Sequence, residues 1–157
     1  MSADPALTGS EAVDRARIAD LLARYCRALD DHEWDTVAAC FLADAVFSHP
    51  GGAAEGAAAI VAPARAALTP LTASQHLLGT VVIDLDGDRA AATSYFQAQH
   101  VRDGAGGDGG DGDTYLIAGT YHDDLVRTEG GWRIERRHQT YTWRAGNRDV
   151  VARPPTS

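Results

Sequence analysis

Residues 24–49, RYCRALDDHEWDTVAACFLADAVFSH, hold the end of an amphipathic helix, a tight acidic turn, a second short helix and the strand that follows. Tyr25, Cys26 and Leu29 complete an apolar stripe begun by Ile18, Leu21 and Leu22, while Arg15, Arg17, Arg24 and Arg27 fall mostly off it. Such a helix lays one face on a neighbour, here expected to be a sheet. Thr8 with Glu11 three residues later, or Ser10 alone, is placed to cap its start. Beyond the turn, Trp34, Val37, Ala38 and Phe41 follow the i, i+3, i+4, i+7 rule and predict a second helix. Residues 45–48 read as a strand, stopped by His49-Pro50-Gly51-Gly52. Asp30 sits at the turn, where a carboxylate can leave the helix and point inward.

Downstream, residues 54–68 are Ala-rich and helical in propensity, with Pro63 expected to kink or divide them. Four strand-like runs follow Pro70, at about 74–86, 89–102, 114–128 and 131–144. Asp86-Gly87-Asp88 and Glu129-Gly130-Gly131 mark hairpin turns. The tract DGAGGDGGDGD at 103–113 superficially resembles a calcium-binding repeat, but it occurs once and lacks the periodic apolar position. It reads as a mobile hairpin loop. Helices followed by antiparallel strands give an α+β fold, a curved sheet with helices on one face, whose mouth is a natural pocket. One domain, 10–145, is expected between a flexible arm at 1–9 and a tail at 146–157.

The formal net charge of −8 argues against nucleic acid as a partner. All 14 basic residues are Arg, so lysine Schiff-base and P-loop lysine chemistry are excluded. Cys26 and Cys40 lie in apolar helical patterns and read as small core residues. The N-terminus lacks the basic and apolar regions of a secretory signal, and no apolar run approaches the roughly 18 residues of a membrane span. These features predict a cytoplasmic protein that neither spans nor binds a membrane. His122 and Asp124 share a strand face, but no third ligand stands at a telling spacing, so neither a metal nor another cofactor is expected.

Asp30 and His76 are the candidate chemistry. A carboxylate that accepts the Nδ1–H of an imidazole fixes its tautomer and leaves Nε2 as a base. No serine or cysteine sits where it would act as a nucleophile, so the pair would abstract a proton. The plainer alternative makes Asp30 a helix cap and His76 a satisfied core histidine. His100 shares strand parity with Phe96 and Ala98 and would either deliver a proton to a leaving hydroxyl or sit on the rim. His49 would hydrogen-bond a substrate carbonyl or simply end its strand. Tyr25 lies roughly 140° from Asp30 on an ideal helix, so the two converge only if the helix unwinds near Leu29.

Several short segments, in this order, resemble the SnoaL-like branch of the NTF2-like superfamily across residues 10–145. They are Tyr25 with Asp30, Trp34-Asp35, Phe41 with DAVF at 44–47, QHLLG at 75–79, His100, GTY at 119–121, and GWRI at 131–134 with Arg136-Arg137. That branch includes polyketide cyclases, scytalone dehydratase, bile-acid dehydratases and ketosteroid isomerase relatives. The resemblance implies a cone-shaped barrel and a homo-oligomer, either a dimer through the outer sheet face or a trimer. It matches Asp30 to the aspartate that orients the catalytic histidine of scytalone dehydratase, His76 to that histidine and His100 to its second one. Leu29 and His49 stand where that enzyme has two tyrosines, and Tyr121 where it has an asparagine, so scytalone is not the expected substrate. Tyr25 resembles the tyrosine of bile-acid dehydratase-like sites, and Arg137 matches a pocket arginine that would hold an oxyanion or anchor a carboxylate; its alternative is a surface salt bridge. The implied function is a cofactor-independent dehydratase acting on a carbonyl-bearing cyclic small molecule. An isomerase or cyclase using the same pair, or a non-catalytic binding or dimerisation module, are the alternatives.

Overall fold

The computed structural model describes residues 8–106 and 111–151. Most of the arm expected at 1–9, the end of the tail and the centre of the Gly/Asp tract lie outside them. Three helices, α1 (Gly9–Asp30), α2 (Trp34–Ala39) and α3 (Ala57–Leu68), accompany six strands. The strands are β1 (Phe41–His49), β2 (Gly52–Glu55), β3 (Ala73–Asp86), β4 (Arg89–Val101), β5 (Thr114–Thr128) and β6 (Gly131–Gly146). They form one curved, unclosed sheet in the order β2-β1-β6-β5-β4-β3, antiparallel except where β1 runs parallel to β6. The α+β architecture matches the expectation.

Helix α1 starts where it does because Thr8 and Glu11 form a capping box: the Thr8 hydroxyl accepts the Glu11 N–H, and the Glu11 carboxylate accepts the Thr8 N–H at 2.8 Å. The stripe from Ile18 to Leu29 is buried as expected. A clasp holds the same end of α1 on the sheet. The Asp14 carboxylate accepts two hydrogen bonds from Arg127 and one from the Trp132 indole, tying the first turns of α1 to the β5–β6 hairpin.

Three local expectations need correction. Phe41 opens β1 instead of closing α2, because the Cys40 carbonyl accepts the Ile134 N–H at 2.9 Å and Phe41 pairs with Ile134. The sheet register thus overrides a spacing that fits a helix. Gly52, read as part of a stop signal, starts β2, which pairs back on β1 from His49↔Gly52 to Val46↔Glu55. Pro63 does not divide α3, which runs unbroken from Ala57 to Leu68. The helix loses one backbone bond there and is held by the burial of Ile60 and Val61 before the proline and Leu68 after it.

Strand β4 alternates almost perfectly, with Ala90, Ala92, Ser94, Phe96, Ala98 and His100 facing the helices. Register shifts at Gly79/Val82 in β3 and at Ala118/Gly119 and Asp124/Leu125 in β5 mark irregularities of the kind that bend a sheet. Gly119 sits at one of them, and a Cβ there would lie 1.9 Å from the Thr140 carbonyl oxygen. Gly119→Ala is therefore expected to destabilise the fold by about 1–3 kcal/mol or more, read as a lower urea midpoint.

Candidate active site

A cavity of about 460 Å³ opens between α1, α3, the β1–β2 turn and the inner face of β3, β5 and β6. Tyr25, Leu29, Phe47, Ile60, Tyr121 and Tyr141 make up much of its wall, and His49, His76 and Gln139 supply polar groups.

Asp30 is the last residue of α1, and β3 passes beside it. Because side chains alternate along a strand, Ser74 and His76 point the same way, and both meet the Asp30 carboxylate. Asp30 Oδ1 accepts the His76 Nδ1–H at 2.7 Å and the Ser74 hydroxyl at 2.9 Å; Oδ2 accepts the His76 backbone N–H at 2.8 Å. Partial burial opposes the ionised carboxyl, but hydrogen bonds from the His76 ring and backbone and from Ser74 outweigh it, so the Asp30 pKa is lowered. A carboxylate can only accept, so the shared proton sits on Nδ1. Nε2 is left as the basic nitrogen of a residue that lines the cavity. The expected Asp30–His76 contact is present.

His100 differs from its expected role. It is buried and meets the His76 ring edge-on with centroids 5.7 Å apart, but it is not part of the cavity wall. Its Nδ1–H donates to the Tyr115 carbonyl at 3.1 Å. Burial first, and then the neighbouring His76, push its pKa down to about 4. At neutral pH its one ring proton is committed to Tyr115, so it has none to hand to a leaving hydroxyl. Unfolded His100 takes up a proton near pH 6.5, whereas the folded imidazole resists until about 4. Acidification across that window should therefore remove up to roughly 3 kcal/mol of stability. A His100→Phe variant should show a flatter stability profile between those two pH values in urea titrations.

Tyr25 and Asp30 do not converge, because α1 stays helical through Asp30. Tyr25 instead packs edge-on against Phe41 and Tyr121, at 5.7 and 6.1 Å, and still lines the cavity. Tyr121 stacks on Phe96 at 4.4 Å. Burial pushes the Tyr25 phenol up to about 12 and Tyr121 well above its ordinary value, so both remain hydrogen-bond donors. His49 also lines the cavity; its Nδ1 accepts the Gly51 N–H at 3.0 Å, which puts the proton of the neutral ring on Nε2.

Arg137 does not line the cavity that holds His76, and it is not a surface ion pair. Its side chain is fully buried and makes a two-point contact with Asp123: Nε to Oδ1 at 2.6 Å and Nη2 to Oδ2 at 2.8 Å. The guanidinium lies 4.3 Å from the centre of the Tyr25 ring and 4.1 Å from that of Tyr121. Its Nη1 has no hydrogen-bond partner; the two ring faces meet its charge instead. Asp123 was missed from the sequence, yet the pattern Tyr121-x-Asp123-x-Leu125 puts a carboxylate on a buried strand face, a signal that it needs a cation. Ser74, Gln139 and Tyr141 were missed as well, although the first is two residues from His76 and the others alternate in step with Arg137.

No group of three metal-ligating side chains occurs among the described residues. Cys26 and Cys40 are buried and free, and burial raises the Cys26 thiol to about 11, far from a reactive thiolate. No helix among the described residues is long and apolar enough to cross a membrane.

Protein Rv2910c of Mycobacterium tuberculosis (strain H37Rv) is 31% identical over 137 residues, covering 85% of this chain and 89% of its own length. A candidate scytalone dehydratase from Novosphingobium aromaticivorans has the same fold, with a TM-score of 0.80 at 22% identity over 96% of this chain and 99% of that one. So does the hexachlorocyclohexane dehydrochlorinase LinA-type3 from Novosphingobium barchaimii, with a TM-score of 0.73 at 16% identity over 92% and 97%. The SnoaL-like domain family matches residues 10–138, from the first turn of α1 to the middle of β6. The chain therefore belongs to the SnoaL-like family, and its fold is NTF2-like.

Proposed function

We propose that this protein is a cofactor-independent lyase that removes a proton alpha to a carbonyl and expels a beta leaving group from a cyclic small molecule. The observation that carries the reading is the 2.7 Å contact from His76 Nδ1 to Asp30, in a histidine that lines a largely apolar cavity. In this reading His76 Nε2 takes the α-proton, and the adjacent Asp30 carboxylate stabilises the imidazolium that forms. The enolate oxygen receives hydrogen bonds from the Tyr25 or Tyr121 hydroxyl or from His49 Nε2–H, donors fixed before the charge develops. The electron pair of the broken C–H bond becomes the new C=C, the C–O bond to the leaving hydroxyl breaks, and His76 returns its proton to give water. His100 has no proton to offer, so one imidazole serves as base and then as acid, which favours loss of proton and leaving group from the same face. Two neighbours in fold, a candidate scytalone dehydratase and LinA-type3, bear the names of elimination catalysts. The test is a panel of cyclic β-hydroxy ketones followed by enone absorbance. Turnover that persists in His76→Ala would rule the reading out.

The reading extends to a homodimer through the outer face of the sheet. Leu77, Val82, Tyr95 and Trp143 are 59%, 54%, 60% and 44% exposed, and the strand registers put all four on the face away from the helices. Tyr95→Arg is expected to shift sedimentation from dimer towards monomer. A monomeric wild type would exclude this interface.

A further inference from the structure

Resting on the reading of the site above, we infer that the substrate is uncharged, a neutral carbonyl compound without a carboxylate, phosphate or ammonium group in the cavity. Among the described residues, no Arg, Asp or Glu belongs to the cavity wall. Three guanidiniums lie near it, each against aromatic rings. Arg137 is closed off behind Tyr25 and Tyr121 and neutralised by Asp123. Arg65 lies over Trp34 at 5.6 Å, and exposed Arg144 lies over the Tyr141 ring at 4.0 Å.

A negative charge next to the cavity is the Asp30 carboxylate, kept ionised by the three hydrogen bonds it accepts. An anionic ligand would lose its water, meet no cation on the wall and feel that negative charge through His76. An ammonium group would find no carboxylate on the wall to receive it, because Asp30 is turned onto Ser74 and His76. The wall residues that carry neutral donors are Tyr25, Tyr121, His49 and Gln139. Neutral donors suit a carbonyl oxygen that is uncharged when it binds and gains charge only as the proton leaves.

Three compounds of one shape separate the cases: 2-tetralone, 1,2,3,4-tetrahydro-2-naphthoate and 2-aminotetralin, each titrated calorimetrically into the full chain at neutral pH. The ketone is expected to bind at least tenfold more tightly than either charged analogue. Ala67→Arg, which puts a guanidinium on the α3 wall, is expected to strengthen carboxylate binding at least tenfold. Equal or tighter binding of the carboxylate or the ammonium compound to the wild type overturns the inference, as does absence of ketone binding. Binding is read here without turnover. Ketone binding with no proton abstraction would thus defeat the proposed reaction and leave this inference standing.

Discussion

Replacing Asp30 with Asn is expected to slow proton abstraction by about 10²–10⁴-fold, the range that a positioned general base contributes. The carboxylate does two things that an amide cannot combine. It takes the Nδ1 proton, so that Nε2 is free, and its charge stabilises the imidazolium once Nε2 has taken the substrate proton. An Asn that turns its amino group towards His76 reverses the tautomer; one that turns its oxygen keeps the tautomer and loses the charge. Three donors now converge on Asp30, from the Ser74 hydroxyl and from the His76 backbone and ring. Asn has a single acceptor oxygen, so a half-buried donor loses its partner and stability falls by about 1–3 kcal/mol. Rates measured beside urea unfolding separate the two effects. Because folding lowers the Asp30 pKa, its contribution to stability is complete above the unfolded value near 4 and is lost as pH falls through the folded one.

The largest effect on stability is expected at the buried ion pair. Arg137→Leu leaves the Asp123 carboxylate fully buried without its cation and takes the guanidinium from between the Tyr25 and Tyr121 rings. Removing one partner of such a pair costs about 3–5 kcal/mol, a large part of the roughly 5–15 kcal/mol that holds a domain together. Asp123→Leu should cost a similar amount through the stranded Arg137. The double variant should recover much of the loss, because both buried charges disappear together. Urea midpoints of the two singles and the double test this; singles within about 1 kcal/mol of wild type would mean that the pair is not closed from solvent.

Much of this was legible in the chain itself, for local reasons. The α1 stripe, its capping box and the alternation of β4 are patterns in which neighbouring residues decide the outcome. Asp30 and His76 were legible as partners because Asp30 stands at the turn that ends a helix, a carboxylate there suits an imidazole Nδ1–H, and the family resemblance matches both residues. What misled were places where a distant strand overrides a local signal. Phe41 fits the helical spacing of α2, but Ile134 claims the Cys40 carbonyl and draws Phe41 into the sheet. Arg137 matched a pocket arginine, yet its direction is decided by Asp123, its partner across the β5–β6 register. His100 was correctly placed on one strand face with Phe96 and Ala98, but its loss of charge follows from burial and from the neighbouring His76, neither of which parity reveals.

The claim that Asp30 and His76 act as a base facing the cavity is tested most directly by α-proton exchange in D₂O with 2-tetralone, followed by proton NMR. No natural substrate is needed, since exchange requires only that the base remove and return a proton. Wild type is expected to accelerate exchange at least 10²-fold over buffer, with the acceleration lost in His76→Ala and strongly reduced in Asp30→Asn. Exchange at the buffer rate in wild type, or unchanged by His76→Ala, would contradict it.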